Sequence, residues 1–141
     1  MDQSELFNKM IHHFNTEDRF CKSNGIKVVE IRPGYGRTQL TVCEQHLNGL
    51  DIVQGGAVYT LADLAFAAAS NSHGISSVGM HTDTSYIHPG KSGVLTAEAR
   101  EISRTRKTGH YEVEVKDEDG KLIAKFTGIG YFLGTPFPPE K

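Results

Sequence analysis

Residues 57–69 form an almost entirely apolar segment that is interrupted by one carboxylate, Asp63. Two glycines, Gly55 and Gly56, precede the segment, and we interpret it as a helix entered through this pair. A helix that is apolar on every face belongs in a protein interior. An ionised carboxylate there is costly unless it is paired, hydrogen-bonded or protonated, so Asp63 is expected to have either a catalytic role or a structural one, as a cap of a loop or the partner of a buried cation.

The size and charge of the chain restrict its class. Its 141 residues suffice for one domain with its own core, and we predict a single domain over residues 1–141. The formal net charge of -2 produces no global basic field, which argues against nucleic acid or an anionic membrane as the main partner. We find neither a leader pattern nor an apolar run long enough to span a bilayer, so we predict a cytoplasmic protein.

The cysteines and histidines do not follow a metal-ligand pattern. Cys21 and Cys43 lack the CxxC spacing of zinc sites, and both are expected to be reduced thiols. His46, His81 and His88 lie in separate segments without HxH or HxxxH spacing. We therefore expect these histidines to be structural or surface residues, and we predict no metal.

Hydrophobic periodicity and turn residues predict one short helix, two strands, the central helix and four further strands. Ser4 is a candidate N-cap for the first helix. Only a curved sheet can cover every face of the central helix in so small a chain, so the predicted fold class is α+β, an antiparallel sheet wrapped around a long helix. The predicted elements are a helix over 4–14, strands Ile26–Ile31 and Arg37–Cys43 around a turn at 33–36, the central helix, a strand ending at Tyr86-Ile87, strands Val94–Ile102 and Tyr111–Val115, a last strand Leu122–Leu133 and an irregular tail over 136–139.

Residues 46–56 lead directly into the central helix. Exposed N–H groups at a helix start attract negative charge. Because Gly55 and Gly56 carry no side chains to obstruct these amides, the pair is suited to an oxyanion hole, in which one donor contributes about 3 kcal/mol. The oxygen of a thioester carbonyl would be a suitable acceptor for these amides.

Several further motifs accompany this helix in a fixed order. They are His46-x-Asn48, Gln54-Gly55-Gly56, Thr60-Leu61-Ala62-Asp63, Ala65-Phe66-Ala67, Asn71-Ser72-x-Gly74, Pro89-Gly90, Thr108-Gly109 and Asp119-Gly120-Lys121-Leu122-Ile123-Ala124. Over roughly residues 20–133 the sequence resembles the hotdog-fold acyl-CoA thioesterases of the phenylacetate-degradation (PaaI-like) type.

The resemblance implies a role for three residues. Asp63 would attack the thioester or activate water, the Gly55 N–H would stabilise the oxyanion, and Asn48 would position the water or the carboxylate. It also implies that these groups come from two subunits of a homodimer, often paired into a homotetramer. Coenzyme A would then enter only as part of the substrate, and no separate cofactor is expected.

The sequence departs from the family pattern at Gln54, where the family commonly has histidine. A glutamine amide can donate a hydrogen bond, but it cannot exchange a proton near neutral pH as imidazole can. Gln54 is therefore expected to polarise the carbonyl, which leaves Asp63 as the acid-base group. A second departure is Gly79, where some relatives carry serine.

The remaining expected contacts concern coenzyme A. By analogy, Gly56, His88 and Pro89 would line the substrate entrance. A basic run would bind the phosphates, although such a run is as often a solvated loop. Its residues are Arg104, Arg106 and Lys107.

The leading hypothesis is hydrolysis of an aryl, short-chain or medium-chain acyl-CoA to the free acid and CoA. One alternative is a non-catalytic acyl-CoA binding or sensing protein that kept the pocket and lost the histidine. A third, an enoyl-CoA hydratase, would require a clearer Asp/His pair than this sequence has.

Overall fold

The computed structural model of this chain describes residues 2–140. Over that range the elements follow the predicted order, with a short 3₁₀ helix at Glu44–His46 before the central helix. The helices are α1 (Gln3–Glu17), α2 (Arg19–Ser23) and α3 (Gly55–Ser70), and the strands are β1 (Ile26–Arg32), β2 (Tyr35–Thr41), β3 (Ile75–Tyr86), β4 (Val94–Arg104), β5 (Thr108–Lys116) and β6 (Leu122–Pro136).

The six strands form one antiparallel sheet in the order β1-β2-β4-β5-β6-β3. The sheet curls around α3, and the inward side chains of the strands pack on that helix. Nine of the α3 residues between Val58 and Ser70 are buried. The α+β fold predicted from the sequence, a curved antiparallel sheet around one long helix, is confirmed.

Small residues allow the sheet to approach α3 closely. Gly36 lies within β2, where an added Cβ would come 2.6 Å from the Ala68 Cβ and 2.7 Å from the Ala65 carbonyl oxygen. The sequence predicts a turn over 33–36, but the turn is shorter, because β2 already begins at Tyr35. Gly36 is therefore needed for helix-to-strand contact and not for a turn.

Three local predictions are corrected by the structure. The N-cap of α1 is Asp2, whose Oδ1 accepts from the Glu5 N–H at 2.8 Å, and Ser4 already lies inside the helix. Helix α2 is not predicted from the sequence, and it is only five residues long. The last strand continues to Pro136, opposite Ile75 of β3, and a proline is tolerated there because it ends the strand.

The two edges of the sheet are β1 and β3. The β3 edge is twelve residues long and exposes large apolar side chains, among them Val78, Met80 and Tyr86. The Ile87 N–H donates to the Ile123 carbonyl, so by alternation Tyr86 and the residues at 82 and 84 direct their backbone groups away from β6. A long open edge of this kind is a surface for pairing with another strand.

Candidate active site

The loop before α3 is held in place by His46. This buried imidazole accepts a hydrogen bond from the Cys43 N–H at its Nδ1, at 3.0 Å, and its Nε2 donates to the Asn24 carbonyl at 2.6 Å. The His46 carbonyl in turn accepts from the Gln54 N–H at 2.8 Å. His46 is thus a satisfied structural histidine, as the sequence predicts, and it fixes the position at which α3 starts.

Asn48 also holds this loop. Its Oδ1 accepts from the Leu50 N–H at 2.9 Å and from the Ile52 N–H at 3.4 Å, which leaves Nδ2 without a partner among residues 2–140. The amide N–H₂ is therefore the group that Asn48 can offer to a water or a substrate. The sequence suggests a positioning role for Asn48. Because its Oδ1 already accepts two hydrogen bonds, Asn48 would perform such a role by donating a hydrogen bond from Nδ2.

Gln54 is the N-cap of α3, and its side chain turns back onto the helix. Its Oε1 accepts from the Gly56 N–H at 2.5 Å, whereas no group in the described part of the chain accepts from the Gly55 N–H. The expectation that both glycine amides are unobstructed is thus wrong for Gly56. The contact to Gly56 also orients the Gln54 carboxamide, leaving its Nε2 free to donate.

A cavity of about 480 Å³ adjoins this helix start. Three aromatic side chains contribute to its wall, and the ring of one of them, Tyr86, would lie 3.6 Å from a Cβ placed on Gly55. These aromatic residues carry no signal in the sequence that marks them as site residues, since their convergence depends on three separate elements. The lining residues include Phe20, Tyr59 and Tyr86 together with Gln54, Gly56 and Thr60.

Asp63 lies two turns further along α3 and is partly buried. Within residues 2–140 it has no hydrogen-bond or ion-pair partner. Burial raises the pKa of the Asp63 carboxyl above its usual range, and the nearby Asp18 carboxylate raises it further. A raised pKa makes the ionised carboxylate a stronger base than an exposed one, so it is suited to accept a proton during a reaction.

Asp63 and the Gly55 amide cannot act on the same atom within one protomer. They are eight residues apart on one straight helix, which corresponds to about 12 Å along its axis. The structure therefore brings Gln54, Gly55 and Gly56 together at one place and leaves Asp63 at another.

The residues expected to contact coenzyme A also lie in two separate places. His88 and Pro89 follow the end of β3, where the His88 Nδ1 donates to the Leu122 carbonyl at 2.8 Å. Arg104 ends β4, which spans about 30 Å or more, and the exposed Arg106 and Lys107 follow it, so all three lie at the other end of the sheet. One protomer alone does not form the nucleotide entrance expected from the sequence.

One residue of the basic run, Arg104, contacts a cluster of polar side chains. The Arg104 Nε lies 3.8 Å from the Glu101 Oε1, while the Glu101 Oε2 is 2.8 Å from the His73 Nε2 and accepts from the Tyr111 hydroxyl at 2.9 Å. Glu101 offsets part of the charge of Arg104. Arg106 and Lys107 have no acidic partner among the residues described.

Two other features, a metal-binding cluster and a membrane-spanning helix, are absent from residues 2–140. No group of three His, Cys, Asp or Glu side chains is arranged to hold a metal ion in that range. No helix there is both long and apolar enough to cross a membrane. Cys21 and Cys43 are free thiols, and burial, with the nearby Asp18, raises the pKa of Cys21 to about 12.

Comparisons with known proteins agree on one family. The model of the Thioesterase superfamily matches residues 50–124, more than half of the chain. The acyl-coenzyme A thioesterase PaaI of Escherichia coli K12 is 33% identical over 124 residues, 87% of this chain and 89% of that protein. A putative esterase of Archaeoglobus fulgidus is 33% identical over 138 residues, 97% of this chain and 90% of its own length.

Solved structures give the same result. The structure of the E. coli PaaI protein from the phenylacetic acid degradation operon superposes with a TM-score of 0.90 at 31% identity, covering 96% of this chain and 99% of that one. A Streptococcus mutans protein solved bound to acetyl CoA superposes with a TM-score of 0.73 at 25% identity, covering 77% and 89%. The chain therefore belongs to the Thioesterase superfamily, as a PaaI-like hotdog protein and a hydrolase of thioester bonds.

Proposed function

We propose that this protein hydrolyses an acyl-CoA thioester to the free acid and CoA at a site shared by two protomers. The observation that carries the proposal is the separation along α3 of the Gly55 N–H, beside an aromatic cavity, from the Asp63 carboxylate, neither of which has a partner among residues 2–140. Two copies of α3 running in opposite directions would bring the Asp63 of one copy next to the Gly55 of the other. The acyl-CoA substrate is supported by the similarity to the E. coli acyl-coenzyme A thioesterase.

The open edge of β3 supports this assembly. Antiparallel pairing of two β3 strands satisfies their outward backbone groups and covers the exposed apolar side chains. It also places the Ile75 end of one strand beside the Tyr86 end of the other. The basic run 104–107 of one protomer then lies near His88 and Pro89 of its partner, so that the divided coenzyme A contacts come together.

The chemistry divides between the two halves of the site. The thioester oxygen accepts from the Gly55 N–H and from the Gln54 Nε2, which stabilise the charge that develops on it. Asp63 of the other protomer takes a proton from water as the water oxygen bonds to the carbonyl carbon, and the proton passes to the departing CoA thiolate. In the second possible route the Asp63 carboxylate attacks the carbonyl carbon first, the C–S bond breaks to release the CoA thiolate, and water then hydrolyses the resulting anhydride.

Subunit mixing tests the shared site. Asp63→Asn and Gly55→Pro variants, each nearly inactive alone, are unfolded together, refolded and assayed for thiol release from aryl, short-chain and medium-chain acyl-CoA. Random pairing makes half of the dimers mixed, and each mixed dimer has one intact site, so about one quarter of the parental activity is expected. A mixture no more active than its two components would contradict the shared site.

A non-catalytic binding protein is the second candidate, because Gln54 replaces the family histidine. Tight binding of every acyl-CoA in the same panel, without release of thiol, would support it. A hydratase would instead hydrate crotonyl-CoA.

Gln54→Glu tests the donor role of the Gln54 carboxamide. The variant keeps an acceptor for the Gly56 N–H and nearly the same shape, but it loses the Nε2 donor and adds negative charge beside the oxyanion. We expect kcat to fall about a hundredfold, with little change in KM. Gln45→Glu is the matched control, because Gln45 lines the same cavity away from the helix start, and it should retain most of the activity. An equal loss in both variants would point to general electrostatic repulsion of the substrate.

A further inference from the structure

A second carboxylate lies near Asp63, at the corner where α1 meets α2. Asp18 ends α1, with its N–H donating to the Phe14 carbonyl at 3.2 Å. It is also the N-cap of α2, since its Oδ1 accepts from the Cys21 N–H at 3.0 Å. Phe14 and Cys21 are both buried in the core. The position of Asp18 is therefore fixed on both sides by the packing of the two helices.

The corner between α1 and α2 faces the part of α3 that carries Asp63. Phe20 of α2 and Thr60 of α3 line the same cavity, and Thr60 lies one turn before Asp63 on the helix. The Cys21 thiol lies near both carboxylates, because burial, then Asp18 and to a smaller extent Asp63 raise its pKa to about 12. The thiol is therefore neutral near pH 7, and it adds no charge beside Asp63.

The charge that acts on Asp63 comes from Asp18. Burial raises the pKa of the Asp63 carboxyl, and the Asp18 carboxylate raises it further. Asp63 is the only charged residue of α3. Within residues 2–140 no cation forms an ion pair with it that would offset these effects.

The other ionisable side chains of the neighbouring elements lie elsewhere or have partners. Those of α1 line a groove to which α3 contributes no residue; they are Glu5, Lys9, His12, His13 and Glu17. Three on α2 and β1 are exposed, namely Arg19, Lys22 and Lys27. Others pair with groups of their own; these are Glu30 with Arg32 and Arg37, Tyr35 with Glu98, His46 with the Asn24 carbonyl and Tyr111 with Glu101.

We propose that Asp18 is a positioning residue of the thioesterase site, whose negative charge makes the Asp63 carboxylate a stronger base. A carboxylate beside a second negative charge binds a proton more tightly, so Asp63 takes the proton of water, or attacks the carbonyl carbon, more readily. The two helix ends hold this second charge in place, because both depend on Asp18. The inference rests on the proposed function, in which Asp63 is the reacting group.

Asp18→Asn tests the proposal in the full chain. Asparagine caps a helix as well as aspartate does, so the variant keeps the cap of α2 and loses the charge. In the pH profile of kcat, measured as CoA release in quenched samples, the acidic limb should move to lower pH, because Asp63 then stays ionised in more acidic solution. The plateau should fall by about tenfold or less, against a factor of about 10² or more for loss of the base itself.

The shape of the profile separates this role from a structural one. With a weaker base that is ionised at lower pH, the ratio of variant to parental kcat should rise as the pH falls. Loss of a structural residue would instead lower kcat by the same factor at every pH, and that result would overturn the proposal.

Two further variants serve as controls. Asp2→Asn makes the same change at the exposed N-cap of α1, where the Asp2 Oδ1 accepts from the Glu5 N–H, and it should leave the profile unchanged. Asp18→Glu keeps the charge but is a poorer cap, so its acidic limb should stay near that of the parent even where its stability is lower. A limb that moves as far in Asp18→Glu as in Asp18→Asn would overturn the proposal.

NMR titration of the Asp63 carboxyl carbon, assigned with Asp63→Asn, separates the proposal from the proposed function. The midpoint should lie at lower pH in Asp18→Asn than in the parent, whichever thioesters the protein hydrolyses. A parent that releases no CoA would contradict the proposed function. A midpoint that does not move would overturn the role of Asp18.

Discussion

Asp63→Asn is expected to lower kcat for thioester hydrolysis by a factor of about 10² to 10⁴, the range observed when a general acid-base group is removed. Asparagine has nearly the shape of aspartate, but it can neither accept the proton of water nor form an anhydride, so both proposed routes lose their reacting group. Single-turnover thiol release measures the effect, and KM should change little. Normal turnover in the variant would contradict the assignment of Asp63 under either route.

The same variant is expected to be more stable than the parent at neutral pH. The pKa of Asp63 is raised in the folded protein, chiefly by burial, so between its unfolded and folded values the folded state binds more protons than the unfolded state. Stability is therefore lost as the pH rises through that interval, and a neutral asparagine avoids the loss. Below both pKa values the parent and the variant should differ little.

Urea unfolding at acidic and at neutral pH measures this pattern. Asp119→Asn is the matched control, because Asp119 is an exposed carboxylate in the turn before β6, and its replacement should leave both activity and pH dependence unchanged. A variant of Asp63 that is less stable at neutral pH would show that the carboxylate is stabilised in the assembled protein. The role of Asp63 would then be structural as well as chemical.

Gly55→Pro is expected to lower kcat by a factor of about 10² to 10³ and to leave the fold intact. Gly55 is the first residue of α3, where proline is favoured and the N–H has no helical partner. The preceding Gln54 has φ -60 and ψ 136, a conformation compatible with a following proline. The substitution thus removes the proposed oxyanion donor with little backbone strain.

A companion variant, Gly55→Ala, separates the N–H from the shape of the glycine. An added Cβ at this position meets Tyr86 at 3.6 Å, an ordinary contact, and the N–H is kept. We expect Gly55→Ala to retain much more activity than Gly55→Pro, with similar unfolding midpoints in urea for the two variants. Equal activities would show that the Gly55 N–H is not an oxyanion donor.

Much of the fold could be predicted because its signals are local. The alternation around Tyr111–Val115 indicated a strand with one wet face, and the apolar segment 57–69 indicated a buried helix, since both patterns follow from burial alone. The short α2 was missed because five residues carry too little periodicity to recognise. The role of Gly36 was missed because its neighbours, Ala65 and Ala68, are distant in sequence.

The candidate site residues were named from the sequence, whereas their geometry could not be predicted from it. Gln54, Gly55, Asn48 and Asp63 were recognised from their spacing and from a family resemblance. Spacing alone could not show that the Gln54 Oε1 bonds to the Gly56 N–H, because a glutamine side chain can turn either toward the helix or away from it. Nor could it show that the basic run lies at the far end of the sheet from His88.

The sequence by itself determined the buried helix, the carboxylate within it and the order of strands around it, because apolar periodicity and glycine placement encode burial and turns residue by residue. Only the tertiary structure decided which helix-start amide remains free, that Asp63 is about 12 Å along the helix axis from that amide, and which sheet edge is open. These properties depend on contacts between residues far apart in the chain, such as those that pair β3 with β6. No local pattern specifies such contacts.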